Sequence, residues 1–158
     1  MSDLLWADVK EYFDPYKMGS LPDLRVPHTS ADDWQAVLDL VVERRWGHEY
    51  VEGDTALPLP RAVDVLARPR DAECPQLRLW PTGDMCAIFR FHAAEEIDFD
   101  MDLRELQGQE RLDLFCDFLR TIGGRLGKSV FMDPEGAYGH PFLAFDIRIG
   151  RVVFLGER

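Results

Sequence analysis

The chain of 158 residues lacks any apolar run near the roughly 18 residues that span a bilayer. Its start, "MSDLLWADVKEYF", has acids where a secretory leader has bases ahead of an apolar stretch, so a cytoplasmic location is the expectation. Cysteine is scarce. Cys74, Cys86 and Cys116 are odd in number and none sits at C-x-x-C spacing, which excludes a disulfide framework and predicts buried free thiols in a reducing compartment. His28, His48, His92 and His140 are scattered, without the H-E-x-x-H or H-x-x-x-H spacing that places two imidazoles on one helix face, so no metal or other cofactor is expected. The glycine-rich "TIGGRLGKS" (121–129) fails as a phosphate loop, because "GRLGK" has two residues between its glycines where four are needed, and because it ends a predicted helix instead of opening one. Bases are also in deficit: 18 Lys and Arg face 29 Asp and Glu, for a net charge of −11. Such a field repels nucleic acid and anionic membranes and attracts basic proteins.

What is present is the composition of a globular chain, with 46% apolar residues and 11% aromatics, no internal repeat and no low-complexity tract. One domain over 1–158 is the expectation. The Pro-rich pieces "SLPDLRVPHTS" (20–30) and "TALPLPRA" (55–62) read as turns inside it. Leu5, Val9, Tyr12 and Phe13 share a helix face that Pro15 stops. Ser30 or Thr29 caps a second helix, in which Asp32 and Asp33 occupy the first turn and Trp34, Val37, Leu38 and Val41 keep a 3.6-residue period. Pro60 opens a helical turn or two through "RAVDVLA". Residues 109–126 form a long helix with Leu112, Phe115, Leu119, Ile122 and Leu126 on its core stripe and Gly127 as terminator. Strands are predicted at "HEYVE", "QLRLW", "MCAIFRFH", "EIDFDMD", "SVFM", "PFLAFDI" and "RVVFL". Blocks of helices and strands without a steady β-α-β alternation give an α+β fold: a mainly antiparallel sheet, a long helix packed on one face, and N-terminal helices.

The stretch "EEIDFDMD" (95–102) holds five carboxylates and no base, with Ile97, Phe99 and Met101 at alternate positions. On a strand those three share one face, and Glu96, Asp98, Asp100 and Asp102 share the other. Keeping the apolar faces together requires a three-residue turn, 93–95, that pairs Phe91 with Ile97, Phe89 with Phe99 and Ala87 with Met101. His92 then stands opposite Glu96, and Arg90 opposite Asp98. One strand back, a turn at Thr82-Gly83-Asp84 pairs Leu79 with Ala87 and Leu77 with Phe89. The acidic face accordingly also carries Arg78, Trp80, Cys86 and Ile88. A solvated face has little use for Trp80 and Ile88, whereas Trp with Arg amid polar groups is the composition of interface hot spots. The alternative is that a helix or the 55–75 loop covers them.

Asp98, Asp100 and Asp102 point the same way and have the chemistry to hold Mg²⁺. "IDFDM" is similar to the paired-acid strand of nucleotidyltransferases, although "PTGDMC" (81–86) has no Ser after its glycine and leads into a strand, not a helix. Over most of its length the chain resembles small acidic α+β proteins of actinobacterial type, through "WADVKEYFDP" (6–15), "DWQAVLDLV" (33–41), "EEIDFDMDLRELQGQE" (95–110) and "GHPFLAFD" (139–146). In size, acidity and fold class it is also similar to immunity proteins of bacterial toxin systems. Those resemblances imply no catalytic residue. Together with the strand-face reading they point to a non-catalytic binding protein, in its sharper form an immunity-type inhibitor of a basic partner, and that reading of the faces gives Arg78, Trp80, Ile88, Arg90, Glu96, Asp98, Asp100 and Asp102 as the contact surface. A metal-dependent enzyme with a carboxylate site on 96–102 is the alternative.

Overall fold

A computed structural model describes residues 2–69 and 73–156. In chain order it contains α1 (Trp6–Val9), which runs on as a 3₁₀ turn (Lys10–Phe13), α2 (Pro15–Met18), β1 (Asp23–Pro27), α3 (Ala31–Glu43), β2 (Gly47–Glu52), β3 (Thr55–Leu57), α4 (Ala62–Leu66), β4 (Gln76–Thr82) and β5 (Met85–Arg90). There follow β6 (Glu96–Met101), a 3₁₀ turn (Leu103–Glu105), α5 (Gln109–Leu126), β7 (Val130–Asp133), β8 (Leu143–Asp146) and β9 (Arg151–Phe154). The strands form one antiparallel sheet in the order β3-β2-β4-β5-β6-β1-β7-β8-β9, so the fold is α+β as its element order predicts.

Local signals explain most boundaries. Ser30 caps α3 by accepting from the Asp33 amide, and Asp33 accepts in return from the Ser30 amide, a reciprocal capping box. Gly127 ends α5 in the left-handed region at φ 66°, where a Cβ would be strained. Pro15 ends the first helical stretch but also begins another, as the first residue of α2, with the Asp14 side chain accepting from the Tyr16 amide. The larger correction is β1. Residues 23–27, expected to lie in a turn, form a strand between β6 and β7. Its Leu24 and Val26 alternate with Asp23 and Arg25, a pattern too short and too closely flanked by prolines to be read locally, yet hydrogen-bonded on both sides by strands distant in sequence. β3 likewise falls in a stretch expected to be a turn, and forms a three-residue edge.

One face of the sheet carries Leu24, Val26, Leu77, Leu79, Ala87, Phe89, Ile97, Phe99 and Met101, all buried under α3 and α5. Phe89 and Phe99 stack across the hairpin with centroids 4.4 Å apart, Phe118 of α5 meets Phe99 edge-on at 5.9 Å, and Trp34 of α3 stacks on Phe91 at 4.3 Å. At the other end Phe13 packs edge-on against Phe115 and Phe142, joining the N-terminal helices to α5 and the segment entering β8.

The two adjacent glycines of α5 should separate packing from helix propensity. A Cβ on Gly123 would lie 2.3 Å from the Phe145 ring and 2.8 Å from the Lys128 carbonyl, whereas one on Gly124 meets nothing within 4 Å. Gly124→Ala is therefore expected to stabilise the protein by about 0.5–1 kcal/mol, and Gly123→Ala to destabilise it by about 1–3 kcal/mol despite the same gain in propensity. Thermal melting of the two variants reads the difference; equal and positive shifts would mean that α5 does not approach β8 this closely.

Candidate functional site

The face opposite the helices is built by the same alternation that buries the core. β5 and β6 pair Phe89 with Phe99, Ala87 with Met101 and Arg90 with Asp98, as the face argument requires. β4 pairs Leu77 with Phe89 and Leu79 with Ala87. The connection from β4 to β5 is tighter than expected: Thr82 pairs with Met85 across Gly83-Asp84, and an irregularity between Leu79 and Thr82 restores the register. Pro81, which has no amide to donate, lies in that irregular stretch. Trp80 stands opposite Gly47 of β2, its ring beside a residue with no side chain. Trp80 and Ile88 are half-buried and belong to neither the hydrophobic core nor the side chains packed against it. The 55–75 segment does not cover them within its described residues, since β3 pairs along the outer edge of β2 and α4 packs on α3.

β1 adds Asp23 and Arg25 to this face, and β7 adds Phe131 and Asp133. The charges are arranged in pairs more than as a field. The fully buried Asp133 accepts from Arg25 Nε at 2.8 Å and from the Gly139 amide at 3.1 Å, and the Arg25 guanidinium lies over the rings of Phe131 and Tyr138 at 5.0 and 5.2 Å. Arg78 pairs with Glu49 at 3.0 Å, and Glu96 accepts from the Tyr138 hydroxyl at 2.6 Å. Arg90, opposite Asp98 in the ladder, sends its guanidinium diagonally to Asp100. Asp23 stands opposite Asp100 in the ladder; burial first and that carboxylate second hold the Asp23 carboxyl above its ordinary value. Asp102 lies one residue past β6, where it caps the 3₁₀ turn and binds Arg104 at 2.6 Å. Among the described residues no group of three or more His, Cys, Asp or Glu side chains is placed to hold a metal ion.

At one end of the face a second cluster forms. The His92 ring lies between Cys74 and Asp98, with Nδ1 3.4 Å from Cys74 Sγ and Nε2 3.7 Å from Asp98 Oδ2. The backbone on either side of it is held: Trp34 Nε1 donates to the Ala93 carbonyl at 2.9 Å, Thr29 Oγ1 to that of Ala94 at 2.7 Å, the Thr29 amide to that of Glu95 at 3.0 Å, and the Phe91 amide to that of Pro75 at 3.2 Å. Burial pushes the Asp98 carboxyl up to about 6, outweighing the nearby His92, while Glu96 and Asp100 add to the rise. The Cys74 thiol is pushed up by burial and then by Asp98.

The structure thus gathers Arg78, Trp80, Ile88, Arg90, Glu96, Asp98 and Asp100 on one face and turns Asp102 to a cap. Sequence reasoning missed Asp23, Arg25 and Asp133, which arrive on distant strands, and it missed Cys74. For Cys74 the signal was available: extending the Leu77–Phe89 pairing outward by three residues sets position 74 opposite position 92. No protein-family model, curated protein or solved structure matches the chain.

Asp98 gives a pH signature. Its carboxyl holds a proton more tightly folded than unfolded, so stability falls as pH rises from about 4 to about 6, and the ionised group is a net cost above that range. Asp98→Asn is therefore expected to raise the melting temperature near neutral pH, by the equivalent of about 1–2 kcal/mol after solvent screening, with the gap closing toward pH 4. Melting curves across that range check it; a variant less stable than the parent near neutral pH would contradict the assignment of burial as the dominant influence.

Proposed function

We propose that this is a binding protein whose open sheet face acts non-catalytically, by receiving a basic partner protein, with inhibition of a toxin by an immunity-type protein as the sharper form of that reading. The observation that carries it is the placement of Trp80 and Ile88: half-buried, outside the core, and on the face turned away from α3 and α5. Across that face the carboxylates of Glu49, Asp23, Glu96, Asp98 and Asp100 outnumber the guanidiniums of Arg25, Arg78 and Arg90. Complementary charge accelerates encounter and rejects acidic competitors, while a desolvated Trp supplies most of the holding energy. The internal pairing of Arg25, Arg78 and Arg90 keeps the surface rigid before contact, which lowers the entropy lost on binding.

The test compares affinity capture from lysate at low salt by the parent and by Trp80→Ala. Trp80→Ala is expected to melt close to the parent, because the ring is not core, and to lose the captured basic protein through a faster off-rate, with a cost of about 2 kcal/mol or more in the measured affinity. Retention of every captured species by the variant, or a collapse of its melting temperature, would remove this face from consideration.

A further inference from the structure

Cys74, His92 and Asp98 meet beside a cavity of about 330 Å³ lined by Leu66, Pro69 and Phe91 on its apolar side and by Arg68, Cys74 and His92 among its polar groups. Among the described residues two buried side-chain polar atoms have no hydrogen-bond partner, Arg68 Nε and Asp98 Oδ1. Arg68 lines the cavity, and Asp98 faces the His92 ring without lining it. Both side chains are about one-third exposed, at 32% and 34%, so what marks the corner is the thiol–imidazole–carboxylate contact beside the cavity. We infer that Cys74 is a base-assisted nucleophile, with His92 as its proton acceptor and Asp98 as the carboxylate that orients the imidazole, and that it accepts an acyl group from a small uncharged ester or thioester seated in this cavity. The inference shares Asp98 with the partner reading but not Trp80 or Ile88, and a Cys74 acylation readout tests it separately from partner capture.

The order of groups is that of a thiol nucleophile: the thiol on Nδ1 and the carboxylate on Nε2, 3.4 and 3.7 Å from the ring nitrogens. The thiol is held above its ordinary value, so Cys74 carries its proton near neutral pH and must lose it as attack begins. In that step the Sγ–H proton passes to His92 Nδ1 while Sγ bonds to the carbonyl carbon. Collapse of the tetrahedral adduct breaks the carbon–oxygen or carbon–sulfur bond to the leaving group, which departs with the proton from His92. The products are an acyl-thioester on Cys74 and a free alcohol or thiol; water, deprotonated by the now neutral His92, would then release the acid. The apolar side of the cavity suits a short acyl chain, and Glu73 and Glu95, which also line it, disfavour an anionic one. Asp98 acts through His92 and is a positioning residue. The partly buried carboxylate that lowers stability is also the one the chemistry requires, a common trade at functional sites.

Cys86 is a built-in reference thiol, also half-buried and pushed up by burial, but with Glu105 as its charged neighbour in place of a histidine. The full chain is treated with 4-nitrophenyl acetate at about pH 8, and acetylation of each cysteine is followed by peptide mass mapping. Cys74 is expected to acetylate at least about tenfold faster than Cys86, and His92→Gln to bring it down to the Cys86 rate. Asp98→Asn is expected to slow Cys74 acetylation while melting at or above the parent temperature, a combination that a purely structural role would not produce. Equal rates at Cys74 and Cys86 in the unmodified protein would overturn the inference without recourse to any variant, as would a Cys74 rate unchanged in His92→Gln.

Discussion

The stacked pair Phe89–Phe99 is the contact on which the rest of the structure depends. A strand has a side-chain period of two, so slipping β6 against β5 by one residue would put Asp98 and Asp100 beside Phe89 in the core and turn Phe99 into water. The cost of that exchange leaves one register available. From it follow the placement of Arg90 opposite Asp98, the arrival of Trp80 and Ile88 on the open face through β4, and the position of the 91–95 connection that presents His92. The connection is not left to itself, because Trp34 of α3 and Thr29, just before the Ser30 cap, hold three of its carbonyls. One hydrophobic decision at the centre of the hairpin thus sets both the chemistry of the face and the geometry at its end.

A net charge of −11 suggests a uniformly acidic surface, yet the open face is a mosaic. Arg25 and Arg90 each bind a carboxylate on a different strand, which ties β1 to β7 and β5 to β6 by polar contacts over the apolar ones beneath. The Arg25–Asp133 pair is the most buried of these, and its removal from one side would strand a carboxylate of zero exposure. Asp98 stands apart. It faces an imidazole instead of a guanidinium, keeps one oxygen unpartnered, and titrates in the range where a proton can be exchanged near physiological pH.

Legibility in the sequence followed the distance over which each signal acts. The span of α5, the Ser30 cap and the pairings Arg90–Asp98 and Leu77–Phe89 were readable because period, cap and turn act over a few residues. β1 was not, because Leu24 and Val26 form a strand only where β6 and β7 supply partners on both sides. With β1 went Asp23 and Arg25, and with them the knowledge that the acidic strand is answered by an arginine beneath two aromatic rings. The Cys74–His92 contact spans 18 positions and follows from a pairing already derived, extended beyond the end of the strand. The diagonal choice of Arg90 for Asp100 over Asp98 depended on side-chain reach and could not be read from register.

The central place of β1 has a consequence for how the chain acquires its shape. β2 to β6 can zip as successive local hairpins, apart from the excursion through α4, and β7 to β9 make a second local run, but only β1 joins the two. Its contacts with β7 close a loop of 108 residues, as the Arg25–Asp133 pair measures. On a ribosome β1 emerges before either of its neighbours, β6 and β7, and is among the last strands to find both. Until β7 is made, the Arg25 side of β1 is an unpaired strand edge and the β7–β9 half does not exist, so the nascent chain passes through a stage with an open sheet margin. The brevity of β1 and the proline at its end limit what can add to that margin in the meantime. Completion of the sheet is then a single late event, set by chain length more than by any local propensity.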